Sequence, residues 1–372
     1  RRVLFRSLSV AGEKVEELLK NKFEISKYVF KEDHLHPNEL TLGRLLLEIP
    51  GDTSLIIAVG SGTINDISRF MSYKLGIPYV IVGTAPSMDG FASVVSPLIC
   101  DGVKVTYDAV YPLAIACDID IMKHAPMQML QAGLGDILGK YTALADWHVA
   151  NILNGEYFCP EVEKLVMSTL KKCEEAALGV TSRDASTVEN ITEALILSGI
   201  AIGMVGASRP ASGGEHYISH CYEMMFMNSG NNTNWLHGNT VGVGVGIVAY
   251  AYKYAKDIDI NEVLKKGDYL NLDKNKWMKN ITDVFTISAT NIIEFKQDSI
   301  NFNEKEREVI MQKIVAKWDA IKNICTDFVP EPTEIIKTLK KAGAVWDPKD
   351  LGLDKEIFRK SFIAAKDMRN RY

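Results

Sequence analysis

The sequence predicts an N-terminal α/β domain with a Rossmann-like fold, followed by an all-α C-terminal domain. Up to about residue 120, short apolar runs alternate with patterns of helical period. From Ala125 onward, helical periodicity dominates and strand patterns are hard to find. We therefore expect the first domain to cover residues 1–122 and the second to cover residues 123–372.

Three short apolar runs in the first part of the chain predict buried strands. They are LIIAVG (55–60), YVIVGT (79–84) and LAIACD (113–118), each bounded by Gly, Pro or Asp. The stretch INDISRFMSYKLG, between the first two, has apolar residues at helical spacing and ends on a glycine. A strand, a glycine turn, a helix and a second strand form a βαβ unit, which implies a parallel sheet with a right-handed crossover.

The second part of the chain is predicted to be helical. Residues 127–153 give one long helical pattern, with a break expected near residues 133–135. Further helices are predicted at 161–177, 187–207, 216–227, 240–256, 304–326 and 332–342. The opening RRVLFRS is basic and matches nothing downstream, so we expect it to be a leader or the edge of a truncated chain, with the first strand of the sheet missing or replaced.

Composition excludes several classes of protein. The 372 residues are 47% hydrophobic and 24% charged, with a net charge of −5, which is ordinary globular composition. No basic patch stands out, so nucleic acid is not an expected partner. Six cysteines without a CxxC pair favour reduced thiols and a cytoplasmic location. No run of eighteen apolar residues is present, so we expect no membrane span.

The glycine turn AVGSGTIND is the first candidate site. Gly60, Ser61, Gly62 and Thr63 lie between a predicted strand and a predicted helix. Glycine allows the backbone to approach a phosphate, and a helix N-terminus supplies unpaired N–H groups, so a dinucleotide's pyrophosphate fits there. A plain tight turn is the alternative, because GSG is common and the motif is not GxGxxG.

The loop TAPSMDGFAS follows the next predicted strand. Loops after parallel strands lie at the carboxyl edge of the sheet, where ligands bind. Thr84, Ser87 and Asp89 are small polar groups suited to a nicotinamide amide, a ribose or a substrate hydroxyl. An ordinary loop with a turn at Asp89 is the alternative.

Histidines and an aspartate in the helical part suggest a metal site. SGGEHYISHCYE carries His216 and His220 one helical turn apart, AGLGDILGK carries Asp136, and NWLHGNTVGVGVG carries His237. Asp136, one histidine of the pair and His237 would form an Asp-His-His set. Such ligands suit Zn²⁺, Fe²⁺, Ni²⁺ or Mn²⁺, and the ligand types do not choose among them. Each histidine taken singly also fits a surface or core position.

In this order, GSGTIND, TAPSMDG, GLGD, SRPASGGEHYISH and LHGNTVGVG resemble the sn-glycerol-1-phosphate dehydrogenases, in particular the bacterial type. That family belongs to the dehydroquinate synthase-like superfamily, with glycerol dehydrogenase and the iron-type alcohol dehydrogenases. The resemblance runs from about residue 50 to 250 and continues more weakly to the end. It implies a metal-dependent, NAD(H)- or NADP(H)-linked reduction of dihydroxyacetone phosphate for phospholipid synthesis, in a homo-oligomer.

The resemblance also assigns roles to residues. It implies that Asp136, His216 and His237 hold one divalent metal, with His220 nearby to relay a proton or to bind substrate. A rival interpretation has both histidines of the pair bind the metal. The residues implied to bind the nucleotide are Gly60, Ser61, Gly62, Thr63, Asn65, Thr84, Ser87 and Lys104. Those expected to contact substrate are Asp89, Asp136, His220 and Arg209, of which Asp89 and His220 are the candidate catalytic groups.

Several points remain open. Lys104 and Arg209 are candidates for the substrate phosphate, although Lys104 also fits a solvated strand and Arg209 a helix end. Asn239 stands where relatives have glutamate, so the partner of His237 is expected to differ. Glycerol dehydrogenase is the main alternative function, and a non-catalytic nucleotide-binding protein is another. Dehydroquinate synthase is disfavoured, because its first metal ligand is typically glutamate.

Overall fold

A five-stranded parallel sheet lies at the centre of the N-terminal part of the chain. The computed structural model describes residues 8–32, 35–100, 103–228, 235–296 and 303–368, and the backbone of residues 2–5. The strands are β1 (Arg2–Phe5), β2 (Ser26–Val29), β3 (Ile56–Gly60), β4 (Tyr79–Gly83), β5 (Val95–Cys100), β6 (Val103–Asp108) and β7 (Ala114–Cys117). The parallel sheet has the order β2-β1-β3-β4-β7, and β5 pairs with β6 as a separate antiparallel hairpin.

The three predicted strands are confirmed as β3, β4 and β7, each within one residue of its predicted start and end. Every residue of β3 is buried, as expected for a strand covered on both faces. The expectation that the first strand of the sheet is missing or replaced is wrong. Arg2–Phe5 forms β1, which pairs in parallel with Ser26–Val29 on one side and Ile56–Gly60 on the other.

Three helices accompany the sheet: α1 (Glu13–Leu19), α2 (Glu39–Glu48) and α3 (Gly62–Leu75). Helix α3 connects β3 to β4, as the βαβ pattern predicts, and buries Ile64 and Ile67 completely. It ends at Gly76, whose φ of 67° is a left-handed conformation that favours glycine. The β5–β6 hairpin follows the loop after β4 and packs against α3.

The rest of the described chain is helical. Its helices are α4 (Ile119–Met122), α5 (Met127–Leu138), α6 (Lys140–Asn154), α7 (Pro160–Glu175), α8 (Gly179–Ser182), α9 (Ala185–Val205), α10 (Gly214–Asn228), α11 (His237–Ala255), α12 (Ile260–Lys266), α13 (Lys274–Phe285), α14 (Ala289–Lys296), α15 (Glu304–Ala316), α16 (Trp318–Asp327), α17 (Pro332–Lys341) and α18 (Lys355–Ala365).

Two predicted helix boundaries are corrected. The break expected near residues 133–135 lies instead at Gly139, between α5 and α6. The pattern at 304–326 is two helices, because the chain leaves helical geometry at Lys317. In this part of the chain, helices α4, α8, α12, α13, α14 and α18 were not predicted.

One hydrophobic cluster joins the sheet to the helices. It contains Ile56 and Ile81 from the strands and Leu134 and Leu195 from α5 and α9. The proposed domain boundary coincides with the end of α4 at Met122, and it stays a prediction. Among the described helices, α9 is long and apolar enough to cross a membrane by length and composition alone, and half of its most apolar window is buried in the protein. A core helix has the same character.

Candidate active site

Three predicted ligands from three helices meet at one point. Asp136 lies on α5, His216 on α10 and His237 at the start of α11, and their donor atoms all lie within 4.8 Å of one another. Asp136 is completely buried and His216 is nearly so, whereas His237 is half-buried. The structure therefore brings together the Asp-His-His set at the boundary between the core and solvent.

Glycines next to the ligands make this meeting possible. A Cβ at Gly135 would collide with the carbonyl oxygen of Gly238, and a Cβ at Gly238 would collide with that of Ala132. Helices α5 and α11 are thus packed backbone against backbone, and the close approach places Asp136 beside His237. Residues with side chains at these positions would push the helices apart.

A carboxylate orients the His216 ring. His216 Nδ1 lies 2.8 Å from Glu215 Oε1, and Nε2 faces Asp136 Oδ1 at 3.9 Å. Glu215 is itself held, because it accepts hydrogen bonds from Thr142 Oγ1 at 2.5 Å and the Gly213 N–H at 2.7 Å. Burial lowers the pKa of His216 and outweighs the opposing effect of Glu215. A neutral imidazole with its Nδ1–H bound to a carboxylate is the usual form of a metal ligand.

A second carboxylate holds His237. His237 Nδ1 lies 2.5 Å from Glu223 Oε1, and the other oxygen of Glu223 lies 2.6 Å from Lys104 Nζ. Burial raises the pKa of Glu223, but Lys104 and His237 together hold it well below its usual value. Glu223 is therefore an anion that links the β5–β6 hairpin to α10 and to the start of α11.

The donor set fits a divalent cation. One carboxylate and two imidazoles are available, and each imidazole has its Nδ1 occupied by a glutamate, which leaves Nε2 as the donor. Three protein ligands leave further positions for water or substrate, as in catalytic sites. The same set suits zinc, nickel, iron and manganese.

Lys140, the first residue of α6, was not predicted as a site residue. Its Nζ lies 2.8 Å from Asp136 Oδ1, 2.7 Å from Asp89 Oδ2 and 2.9 Å from the carbonyl oxygen of Ala211. Burial lowers the pKa of the ammonium, but the two carboxylates outweigh burial and raise it above its usual value. The signal was its spacing of four residues from Asp136, which places both side chains on one helical face.

Asp89 connects the sheet to the helical part of the chain. Its backbone N–H donates to Asp136 Oδ2 at 3.0 Å, and its Oδ2 accepts from Ser198 Oγ at 3.0 Å as well as from Lys140. Burial raises the pKa of Asp89, but Lys140 and His216 outweigh it and lower the pKa to about 2. Asp89 is therefore ionised near neutral pH. About 15% of its side-chain surface is exposed.

The glycine turn joins β3 to α3. Gly60 ends the strand, Ser61 precedes the helix and makes no side-chain cap, and Gly62 and Thr63 open the helix. The N–H of Thr84 donates to the carbonyl oxygen of Gly60 at 3.1 Å, so the loop after β4 lies beside the turn. Unpaired N–H groups in the first helical turn suit a phosphate group.

The other predicted nucleotide residues differ in position. Thr84 and Ser87 are buried in the loop after β4. The side-chain amide of Asn65 is completely buried and donates to the carbonyl oxygen of Gly90 at 2.8 Å, so it supports this loop. Lys104 lies on β6 and reaches Glu223 of α10.

His220 and Arg209, which were both predicted to contact substrate, lie outside the Asp-His-His group. His220 groups with Glu223 and His237, its ring centre being 6.0 Å from that of His216 and 5.5 Å from that of His237. This arrangement favours His216 over His220 as the ligand. Arg209 is buried, and its guanidinium is bound to Glu156 at 2.7 and 2.5 Å.

The partner of His237 is Glu223, fourteen residues before it in the chain. Asn239 accepts a hydrogen bond from the Leu236 N–H and caps α11. The expectation that this partner differs from that in relatives stays a prediction. Glu215 and Glu223 were assigned no role from the sequence, although each orients a candidate ligand.

Comparison with known proteins gives one family. Residues 7–126 match the family model for iron-containing alcohol dehydrogenase. A glycerol-1-phosphate dehydrogenase, NAD(P)+, of Geobacillus thermodenitrificans is 32% identical over 372 residues, which are 99% of this chain and 83% of the relative. A protein of the same name from Halalkalibacterium halodurans is 43% identical over 238 residues, which are 63% of this chain and 59% of that relative.

Solved structures share the fold. A probable glycerol dehydrogenase from Sinorhizobium meliloti 1021 superposes with a TM-score of 0.61 at 17% identity, covering 100% of this chain and 84% of that chain. At this identity the likeness concerns the fold, and it agrees with the predicted α/β part followed by a helical part.

Proposed function

This chain belongs to the glycerol-1-phosphate dehydrogenase family, and on that premise we propose that it catalyses the reversible reduction of dihydroxyacetone phosphate to sn-glycerol 1-phosphate with NADH or NADPH. The observation that carries the proposal is the meeting of Asp136, His216 and His237 within 4.8 Å, directly beside a loop of the parallel sheet. A cation site and a nucleotide turn are the two parts that such a reaction requires.

The nucleotide would bind at the carboxyl edge of the sheet. The glycine turn after β3 and the N-terminus of α3 would hold the pyrophosphate, and the loop with Thr84 and Ser87 would lie nearer the nicotinamide. The contact between this loop and Asp136 supports the order, because it brings the end of the nucleotide site to the metal ligands.

Asp136, His216 and His237 would hold one divalent cation. When bound, it supplies a positive charge for the oxygen on which negative charge develops during ketone reduction. The two glutamates keep both imidazoles oriented, which preserves the site between turnovers.

Polar side chains around this point would bind the substrate. Asp89, which is ionised, would accept a hydrogen bond from a substrate hydroxyl. His220 is half-buried and lies near His237 and Glu223, where it can pass a proton between substrate and solvent.

Lys104 is a better candidate for the substrate phosphate than Arg209. The side chain of Lys104 is 23% exposed and binds Glu223, which in turn contacts the candidate ligand His237. The guanidinium of Arg209 is 6% exposed and already forms a two-point ion pair with Glu156.

The cellular context belongs to the same proposal. The six cysteines have free thiols, which suits a reducing compartment, and we infer a cytoplasmic enzyme. Assembly as a homo-oligomer and a role in phospholipid synthesis follow from the family resemblance and stay predictions.

The proposal is tested by following NAD(P)H oxidation with dihydroxyacetone phosphate, before and after chelation, and with Zn²⁺, Ni²⁺ or Mn²⁺ added back. We expect a rate that needs both the phosphorylated ketone and a metal. Activity with dihydroxyacetone or glycerol that does not improve with the phosphorylated substrate would instead indicate a glycerol dehydrogenase. NAD(P) binding without turnover under every metal would indicate a non-catalytic protein.

A further inference from the structure

The ammonium group of Lys140 is buried away from solvent. Only 1% of its side-chain surface is exposed, and its three acceptors are Asp136 Oδ1, Asp89 Oδ2 and the carbonyl oxygen of Ala211. An ammonium has three N–H donors, so each one has a partner here. A buried charge is costly unless it is paired and fully hydrogen-bonded, and this one meets both conditions.

The position of Lys140 fixes two carboxylates at once. Asp136 Oδ1 is bound to Lys140, and Asp136 Oδ2 accepts the backbone N–H of Asp89, so neither oxygen can turn away without losing a bond. Asp89 is held in the same way by Lys140 and Ser198. The loop from the sheet and the ligand-bearing helix are therefore joined through one side chain.

Lys140 also changes the charge that a cation meets. With Lys140, the two carboxylates and the ammonium carry a net charge of −1, whereas the two carboxylates alone would carry −2. The ammonium bonds directly to the ligand carboxylate, at 2.8 Å, so it repels a second cation at short range. Such repulsion is strong because the groups are screened little by water.

We propose that Lys140 is a positioning residue that keeps Asp89 and Asp136 in place in the metal-free protein and thereby lowers the affinity of the site for a divalent cation. The proposal rests on the proposed metal site. Its first consequence is that the carboxylate pair is stable before any cation binds. Its second is that removal of the ammonium makes the cation bind more tightly, because the cation must then neutralise both carboxylates.

The test compares Zn²⁺ binding to the wild-type chain and to Lys140→Met, by competition with a chromophoric chelator and without nucleotide or substrate. We expect Lys140→Met to bind Zn²⁺ about tenfold or more tightly. Without metal, this variant should melt at a lower temperature than the wild type, and Zn²⁺ should raise its Tm by more than it raises that of the wild type. A lysine that only fills space would not give tighter binding.

Two further variants separate charge from packing. Lys140→Gln removes the charge but keeps an amide donor for both carboxylates, so it should also bind Zn²⁺ more tightly. Lys253→Met removes an exposed lysine that pairs with Glu331, and it should leave Zn²⁺ affinity unchanged. If Lys140→Met does not fold alone, the proposal predicts that Zn²⁺ restores its circular dichroism spectrum.

The proposal is overturned if Lys140→Gln is folded and binds Zn²⁺ no more tightly than the wild type. Because these readouts need no turnover, they stay valid even if dihydroxyacetone phosphate is not the substrate. A wrong assignment of the metal site is distinguished from a wrong role for Lys140 by His216→Ala. If the metal site is wrong, this variant would bind Zn²⁺ as the wild type does.

Discussion

The backbone N–H of Asp89 donates to Asp136 Oδ2 at 3.0 Å. Asp89 follows strand β4 of the sheet, and Asp136 lies on helix α5 of the helical part, 47 residues later. One hydrogen bond therefore joins the loop beside the glycine turn to the candidate metal ligands. If the nucleotide and the metal bind as proposed, this contact would make the nicotinamide site and the metal site neighbours.

Replacing each histidine of the pair distinguishes their roles. His216 faces Asp136, whereas His220 lies nearer Glu223 and His237. We expect His216→Ala to lose Zn²⁺ binding and turnover together, and His220→Ala to keep Zn²⁺ binding while turnover falls about 10²-fold or more, as for loss of a proton-transfer group. Equilibrium dialysis with Zn²⁺ and steady-state rates measure both. The opposite pattern would mean that His220 is the ligand.

Glu223 supports His237 and should matter for metal binding without touching the cation. Glu223→Gln keeps the shape of the side chain but removes the charge that pairs with Lys104 and orients the His237 ring. Loss of such a partner lowers metal affinity by about 10–100-fold. Chelator competition measures the change. Glu334→Gln, which alters an exposed ion pair on α17, is the control and should bind Zn²⁺ normally.

Gly238→Ala tests the close packing of α5 and α11. The new Cβ would collide with the carbonyl oxygen of Ala132, so the helices must separate and Asp136 must move away from His237. We expect destabilisation of about 1–3 kcal/mol and weaker Zn²⁺ binding. Gly246→Ala lies on the same helix, where a Cβ would meet Ile336 at an ordinary 3.7 Å, and it should be neutral or stabilising by up to about 1 kcal/mol. Urea unfolding compares them, and equal stabilities would contradict this account.

The buried carboxyl of Asp146 gives a prediction on pH. Burial and the nearby charge of Glu215 raise its pKa from 3.8 to about 6, although it accepts bonds from Tyr252 and the Gly214 N–H. When the pKa of a carboxyl is higher in the folded chain than in the unfolded chain, its protonated form stabilises the fold. This contribution is fully present below the pKa of the unfolded chain and is lost as the pH rises through the pKa of the folded chain. The free energy of unfolding should therefore fall by roughly 2–3 kcal/mol because of Asp146 as the pH rises from 4 to 7.

Asp146→Asn does not titrate, so its stability relative to the wild type should rise by about that amount from pH 4 to pH 7. Urea unfolding at several pH values measures the difference. Asp257→Asn alters an exposed carboxylate and should show little change relative to the wild type over this range. A difference for Asp146→Asn that stays constant with pH would mean that the carboxyl is not protonated in the folded protein.

Much of the fold could be predicted because burial leaves a clear pattern. Strand β3 is buried along its whole length, β4 alternates between buried and partly buried residues, and both are continuous apolar runs in the sequence. Long amphipathic helices such as α7 repeat at helical spacing. Strand β1 was missed because it is only four residues long and its apolar residues 3–5 lie between Arg2 and Arg6. The predicted break at 133–135 was wrong because Gly135 serves helix packing and not termination.

The candidate metal ligands could be predicted from the sequence, but the residues that hold them in place could not. Asp, His and Gly residues in short motifs give a direct chemical signal, so Asp136, His216 and His237 could be proposed from the sequence. The spacing of Lys140 from Asp136 was a weak signal and Glu223 gave none, because lysine and glutamate on helices are usually solvated. Only the fold shows that one is buried between two carboxylates and that the other holds an imidazole.

Lys104 and Arg209 give the last prediction, which concerns the phosphate of the substrate. Lys104 is the more exposed cation and lies beside the candidate metal site, whereas Arg209 is committed to Glu156. We expect Lys104→Ala to raise KM for dihydroxyacetone phosphate by about tenfold or more, since an ionic hydrogen bond contributes about 1.5–3 kcal/mol. The same variant should change KM for unphosphorylated dihydroxyacetone much less.

The ratio of the two KM values separates phosphate binding from indirect damage. Lys104→Ala also removes a partner of Glu223 and can disturb His237. This indirect effect would weaken the binding of both substrates alike. Arg209→Ala should leave the ratio unchanged, although loss of the buried ion pair with Glu156 lowers its stability. If Arg209→Ala changes the ratio and Lys104→Ala does not, then the phosphate lies on the other side of the site, toward the loop that precedes α10.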